Sequence, residues 1–246
     1  MIPKVIHNTG PADRSIWPSE WHVCFSSQKK HFSDFEFVFW DDEKMEELVE
    51  TKFPWFKKVW DQYPHQIFKA DMIRPMILYL YGGLYLDLDM YCEKNVYSDL
   101  DQEKINLLGS WETSCKHPPY TNAFMASAPK NKYWIKLIQT AMRNWNGSLG
   151  RKVSHCGKDY KSWPRPCLNL VLQLTGPTLL SDLPETEEQN ILNCGEYEVE
   201  SKDNPLKHIC TGSWYRKPKY NTKNINHMNR NTNENSHHQR YTFRDS

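Results

Sequence analysis

The chain has 246 residues, of which 39 % are hydrophobic and 13 % aromatic. That size and composition fit one substantial α/β domain with a packed core and exclude a wholly disordered chain. Its 31 basic and 30 acidic side chains leave a formal charge of +1, which argues against a dedicated nucleic-acid binder.

The first element is a strand over residues 2–7 (IPKVIH), followed by a polar stretch and a helix near 18–31. Residues 35–40 (FEFVFW) are dense in aromatic and other strand-forming residues and predict a second strand. A helix over 42–51 has an acidic first turn, and Phe53-Pro54-Trp55-Phe56 breaks it before another short helix. Residues 65–81 carry apolar positions at helical spacing, with Gly82-Gly83 as a C-terminal cap and Pro75 as a kink or restart.

Residues 84–91 (LYLDLDMY) alternate, which predicts a single strand. Leu84, Leu86, Leu88 and Met90 then face one way, and Tyr85, Asp87, Asp89 and Tyr91 the other. Strands follow at 105–110 and 123–127, an amphipathic helix at 131–145, and a helix at 166–174 that ends in the turn Thr175-Gly176-Pro177. Further strands are expected at 196–200 and 206–210.

From about 216 large apolar residues nearly vanish, and 216–246 holds seven Lys/Arg against two Asp/Glu, a net of +5. This Asn-rich basic tail reads as disordered and solvated, with peripheral contact to a membrane surface or acidic partner as the alternative. Strands alternating with helices predict a mainly parallel sheet, whose ligands bind beyond the strands' carboxyl ends.

No stretch approaches about 18 consecutive apolar residues, so no transmembrane segment is expected. Met1–His7 lacks the features of a secretory signal. The chain as it stands reads as cytoplasmic, or as Golgi-lumenal if an N-terminal anchor precedes it. Seven cysteines, at 24, 92, 115, 156, 167, 194 and 210, form no CxxC pair. Reduced, mostly buried thiols are expected, with Cys156–Cys167 or Cys194–Cys210 bridges and use of the Asn146-Gly-Ser148 sequon reserved for the lumenal case.

Two carboxylates at i and i+2 of a strand point to one side and repel unless a cation lies between them. Asp87 and Asp89 therefore predict a hard divalent ion, Mn²⁺ or Mg²⁺, that would bind a diphosphate. Asp71 and Arg74, three apart, share one face of the preceding helix and converge on the same end.

The run KADMIRPMILYLYGGLYLDLDMY resembles the sugar-binding segment of glycosyltransferase family 32, A-D-x-x-R-x-x-x-L-x-x-x-G-G-x-Y-x-D-x-D. Ala70, Asp71, Arg74, Leu78, Gly82, Gly83, Tyr85, Asp87 and Asp89 match every fixed position. IPKVIHNTG is similar to the family's I-P-K-x-I-H-Q-T-W but departs at Asn8 and Gly10, and Pro75 stands where the family has an aromatic. FVFWDDE resembles its aromatic-Trp-x-Asp strand end, and HICTGSW its closing H-x-x-x-x-S-W. Within the family the match is similar to the inositol phosphoceramide mannosyltransferases and the yeast outer-chain α-mannosyltransferases.

The resemblance implies a GT-A type α/β fold over 1–215, with a Rossmann-like central sheet flanked by helices, and retaining transfer of a hexose from GDP-mannose or a UDP-hexose to a glycan, lipid or protein. Asp89 and Asp87 would hold the metal, with His208 as a further ligand. Asp71 and Arg74 would grip the donor sugar. His7 and Thr9 would lie near the nucleotide, and Tyr85 and Asn122 beside the donor. Trp40 would stack on the base or else fill the core. Ser213 and Trp214 would donate to the leaving diphosphate. The competing reading is a non-catalytic nucleotide-sugar or glycan-binding domain on the same fold.

Overall fold

The structure, a computed structural model, describes residues 1–109, 120–157, 162–183, 189–192 and 205–209. Its strands and helices follow the order β1 (Val5–Thr9), α1 (Ser19–His31), β2 (Glu36–Trp40), α2 (Asp42–Lys52), α3 (Pro54–Trp60), α4 (Gln66–Tyr81), β3 (Gly83–Leu86) and β4 (Met90–Cys92). Then come β5 (Ile105–Gly109), β6 (Tyr120–Ser127), α5 (Lys132–Asn146), α6 (Ser148–Val153), α7 (Arg165–Leu174), α8 (Pro177–Ser181), β7 (Gln189–Leu192) and β8 (Leu206–His208). Asp41 caps α2 by accepting from the Lys44 amide, and Asn131 caps α5 through the Tyr133 amide.

Six strands form one sheet in the order β2-β1-β3-β6-β5-β7. The pairs β1/β2, β1/β3 and β5/β7 are parallel, and β3/β6 and β5/β6 antiparallel, so the expected α/β sheet is mainly parallel but mixed. The period-2 alternation of side chains separates two cores. Tyr85, Leu107 and Met125 face a large cluster with α2–α5, α7 and α8, while Ile6, Leu84, Leu86 and Phe124 face a second with Phe32 at the end of α1.

The segment 84–91 departs from the expected single strand. β3 stops at Leu86, Met90 N donates to Asp87 O at 3.1 Å to close a turn, and β4 leaves to pair antiparallel with β8 in a second, two-stranded sheet. The alternation was genuine on either side, since Leu84, Leu86 and Met90 share one core. Backbone pairing, which a side-chain pattern does not report, decides where the strand breaks.

Pro75 lies within α4 without ending it. It removes only the bond residue 75 would donate to the Asp71 carbonyl. Gly82 caps α4 with φ 65° and Gly83 follows with φ 89°. The first strand begins at Val5, later than expected, and β7, α6 and α8 were not foreseen. The strand expected at 196–200 and the tail from 216 lie outside the described residues.

Cys156 and Cys167 form a disulfide, which corrects the expectation of reduced thiols for this pair, whereas Cys24 and Cys92 are buried and free. Among the described residues, no helix is long and apolar enough to cross a membrane.

Candidate functional site

The turn Asp87–Met90 lies where β3 leaves the carboxyl end of the parallel pair β1/β3. Asp87 N donates to Ala123 O at 2.9 Å, and Ile209 N donates to Asp89 O at 3.0 Å. The second of these bonds continues the β4/β8 ladder, in which His208 lies opposite Met90. That pairing brings a residue from the far end of the chain against the aspartate turn. His208 Nε2 stands 3.3 Å from Asp89 Oδ1. One ligand atom each from Asp87, Asp89 and His208 lies within 4.8 Å of the others.

α4 supplies the other half of the site. Arg74 is 6 % exposed and makes contacts on all sides. Its Nε donates to Ala70 O at 3.1 Å and its Nη1 to Asn122 O at 2.9 Å. Nη2 lies 3.2 Å from both Asp71 Oδ1 and Asp87 Oδ1, so one guanidinium nitrogen bridges two carboxylates. The guanidinium carbon also sits 4.9 Å from the centroid of the Tyr85 ring. Asp71 Oδ1 further accepts from Asn122 Nδ2 at 2.9 Å, and Oδ2 accepts from Thr175 Oγ1 at 3.3 Å.

Burial pushes the Asp71 carboxyl up to about 6, against the opposing pull of Arg74. Burial also raises Asp87, with Arg74 again opposing. Three carboxylates (Asp71, Asp87, Asp89) against one guanidinium leave the cluster with two net negative charges when His208 is neutral. Two carboxylates and one imidazole converging on one point, in a pocket with that surplus, fit a divalent cation.

A hydrogen-bonded chain supports Asp87 from β1. The Tyr85 hydroxyl donates to Asp87 Oδ1 at 2.7 Å. Its one proton being so used, the 2.8 Å contact to Thr9 has Thr9 Oγ1 as the donor.

His7 faces the core rather than an open site, and Trp40 packs beside it. His7 is 1 % exposed. Its Nε2 donates to Gly82 O at 3.0 Å while Nδ1 accepts from Trp40 Nε1 at 3.2 Å, so both ring nitrogens are occupied within the core. Burial accordingly lowers its pKa to about 4. Trp40, 9 % exposed, packs near Tyr81 and joins the larger core, the second of its two expected readings. Asn122 holds Asp71 and Arg74 in place rather than projecting as a free contact. Ser213 and Trp214 lie outside the described residues.

Two groups escaped the sequence reading. Thr175, in the turn after α7, reaches Asp71. Gln28 of α1, fully buried, donates through Nε2 to Asp87 O and Met90 O, both at 2.9 Å. Its Oε1 accepts from Asn8 Nδ2 at 2.9 Å, and Asn8 also donates to Leu86 O at 2.8 Å. A glutamine on a largely polar helix gives no local signal of such a role.

Residues 18–111 match the family described as a glycosyltransferase sugar-binding region containing a DXD motif. Inositol phosphoceramide mannosyltransferase 3 of Schizosaccharomyces pombe is 42 % identical over 95 residues, covering 39 % of this chain and 26 % of that protein. Inositol phosphoceramide mannosyltransferase 2 of the same organism is 30 % identical over 193 residues, covering 78 % of this chain and 49 % of that protein. The chain thus spans about half the length of these relatives or less. Among solved structures, the PaToxG glycosyltransferase superposes with a TM-score of 0.50 at 17 % identity, over 74 % of this chain and 68 % of that one, a likeness of fold alone. The chain therefore carries, over residues 18–111, the DXD-containing sugar-binding region of the family 32 glycosyltransferases, within a GT-A type fold.

Proposed function

We propose that this protein is a metal-dependent retaining hexosyltransferase that uses GDP-mannose or a UDP-hexose as donor. The observation that carries the reading is the convergence of Asp87, Asp89 and His208 on one point, flanked by the Asp71–Arg74 pair. The S. pombe relatives are named for mannosyl transfer to inositol phosphoceramide, which favours mannose as the sugar and a glycolipid head group as acceptor. Glycan and protein acceptors are the alternatives.

Asp87, Asp89 and His208 would hold Mn²⁺ or Mg²⁺, and an imidazole in the set favours Mn²⁺. Bound there, the ion supplies positive charge to the departing nucleoside diphosphate. Asp71 accepts hydrogen bonds from sugar hydroxyls, and Arg74 keeps that carboxylate and Asp87 at fixed separation. Both Asp71 oxygens already accept bonds from Asn122, Arg74 and Thr175, which suits an orienting group better than a nucleophile. Retention then follows from attack on the face the diphosphate leaves, with a leaving-phosphate oxygen taking the acceptor's proton.

The Cys156–Cys167 disulfide favours an oxidising compartment such as the Golgi lumen over the cytoplasm. The basic segment 216–246 offers peripheral contact with the anionic surface on which a lipid acceptor lies.

The test is a panel of labelled nucleotide-sugars with Mn²⁺, offered with and without inositol phosphoceramide vesicles. One donor is expected to be turned over, slowly hydrolysed without acceptor and rapidly transferred with it. Asp89→Ala should abolish both reactions. Donor binding without any turnover would instead mark a binding domain.

A further inference from the structure

Four anchors hold five backbone groups of the aspartate turn, and three of the anchors come from elements already in the site: β6 through Ala123, the segment after β8 through Ile209, and the turn's own Met90–Asp87 bond. The remaining anchor is a side chain from the opposite layer. Gln28 lies on α1, which packs on β4 and precedes by some forty residues the run Ala70–Asp89 that carries the charged cluster. Its two amide hydrogens go to the carbonyls of Asp87 and Met90, the first and last residues of the turn that carries Asp89. An amide can satisfy two carbonyls this way only in one flip state. Asn8 fixes that state by donating to Gln28 Oε1, and it ties the pair to Leu86 O, the last residue of β3. The backbone oxygens of residues 86, 87 and 90 are therefore all held by two buried amides.

We infer that Gln28, locked by Asn8, is a positioning residue for metal binding: it sets the turn so that the Asp87 and Asp89 carboxylates converge before the ion arrives. This rests on the metal site proposed above. The Gln28 amide is spent on Asn8 and on the carbonyls of Asp87 and Met90, so it acts through the backbone of the residues that would hold the ion. Preorganisation of this kind lowers the ordering required on binding, so its loss weakens the metal even in a folded protein.

The experiment measures Mn²⁺ affinity of the full chain by the free-ion electron paramagnetic resonance signal, with urea stability recorded on the same samples. Gln28→Met keeps the length and removes both donors. Asn8→Ala leaves the donors but frees the flip. Leu48→Ala, in α2, serves as an equally destabilised control. The expected result is a rise in Kd of about tenfold or more for Gln28→Met, a smaller rise for Asn8→Ala, and none for Leu48→Ala. Folded Gln28→Met with wild-type affinity overturns the inference, as does a loss matched by the control. If wild type binds Mn²⁺ no better than Asp89→Ala, the metal site itself fails, and the inference with it.

Should both amide variants fail to fold, the wild type answers through linkage. Mg²⁺ must slow hydrogen exchange of the Gln28 side-chain amide if ion and clasp favour the same turn. Unchanged exchange at saturating Mg²⁺, under conditions where the ion demonstrably binds, overturns the inference.

Discussion

His208 Nε2 lies 3.3 Å from Asp89 Oδ1 because β8 pairs with β4 in a register that sets His208 opposite Met90. A ladder of three residue pairs thus decides whether the proposed metal site could draw on two ligands or three. His208→Ala is expected to weaken Mn²⁺ by at least about tenfold, equivalent to ~1.4 kcal/mol, and Mg²⁺ by less, since imidazole suits the softer ion. Titration of both ions against wild type and variant checks this. Equal losses for the two ions would show that His208 acts on the turn's shape rather than as a ligand.

Arg74 is the hub of the charged cluster, and a structural role separates by substitution from the role proposed for it in the site. Arg74→Ala leaves buried Asp71 and half-buried Asp87 without their shared cation, and is expected to destabilise the fold by about 3 kcal/mol. Arg74→Lys restores the charge, but one ammonium cannot reach Ala70 O, Asn122 O and both carboxylates in a fixed plane. Its stability should recover by more than half while kcat/KM remains at least about a hundredfold down, ~2.7 kcal/mol of transition-state stabilisation. Urea unfolding and steady-state kinetics on the same preparations read the two effects. Full recovery of activity in the lysine variant would remove Arg74 from the site's chemistry.

Stability should also fall in mild acid through His7. Its pKa is lowered from 6.5 to about 4 by burial, so the folded protein resists protonation that the unfolded chain accepts. The contribution is whole above pH 6.5 and is lost as pH falls from 6.5 toward about 4, to the extent of about 3 kcal/mol. Asp71, raised from 3.8 to about 6, has the opposite sign, with stability lost as pH rises through that window. The wild-type curve therefore shows only the balance. His7→Gln keeps an amide donor for Gly82 O and cannot titrate, and the difference between its pH–stability curve and that of the wild type isolates His7. Parallel curves between pH 4 and 7 would refute this account.

The sequence displayed the charged cluster better than the supports beneath it. Asp71, Arg74, Asp87 and Asp89 were legible because carboxylates and a guanidinium at helix and strand spacing have few other reasons to cluster, and the structure gathers them as expected. His208 was singled out through the resemblance, and its approach to Asp89 depends on a β4/β8 pairing that no local pattern encodes. His7 was misplaced because a histidine at a strand's end looks alike whether it faces a ligand or a buried carbonyl. The break after Leu86 was hidden because the hydrophobic alternation continues across it. Gln28 and Thr175 act across 59 and 104 residues of sequence separation, beyond the reach of any spacing argument.

Gly82 and Gly10 offer a matched pair for the last prediction, since both lie close to the site and both would place a new methyl group against a neighbour. At Gly82 the backbone has φ 65° and ψ −156°, a region almost confined to glycine. A Cβ there would stand 2.6 Å from Pro129 N and 2.9 Å from Ser127 O, backbone atoms of the end of β6 and the loop after it that cannot step aside singly. The carbonyl that Gly82 offers to His7 would move with any relief of that clash. Gly82→Ala is therefore expected to lose about 3 kcal/mol or more, and to lower Mn²⁺ affinity because β3 delivers Asp87 directly. At Gly10 the new Cβ meets Leu88 Cδ1 at 2.8 Å, the tip of a flexible side chain, and no left-handed φ is required. Gly10→Ala should cost less than about 1 kcal/mol. Urea denaturation of both variants decides the matter: a mild Gly82→Ala would mean that the α4–β3 junction yields, and that the aspartate turn is positioned by β6, β8 and Gln28 without help from the glycine pair.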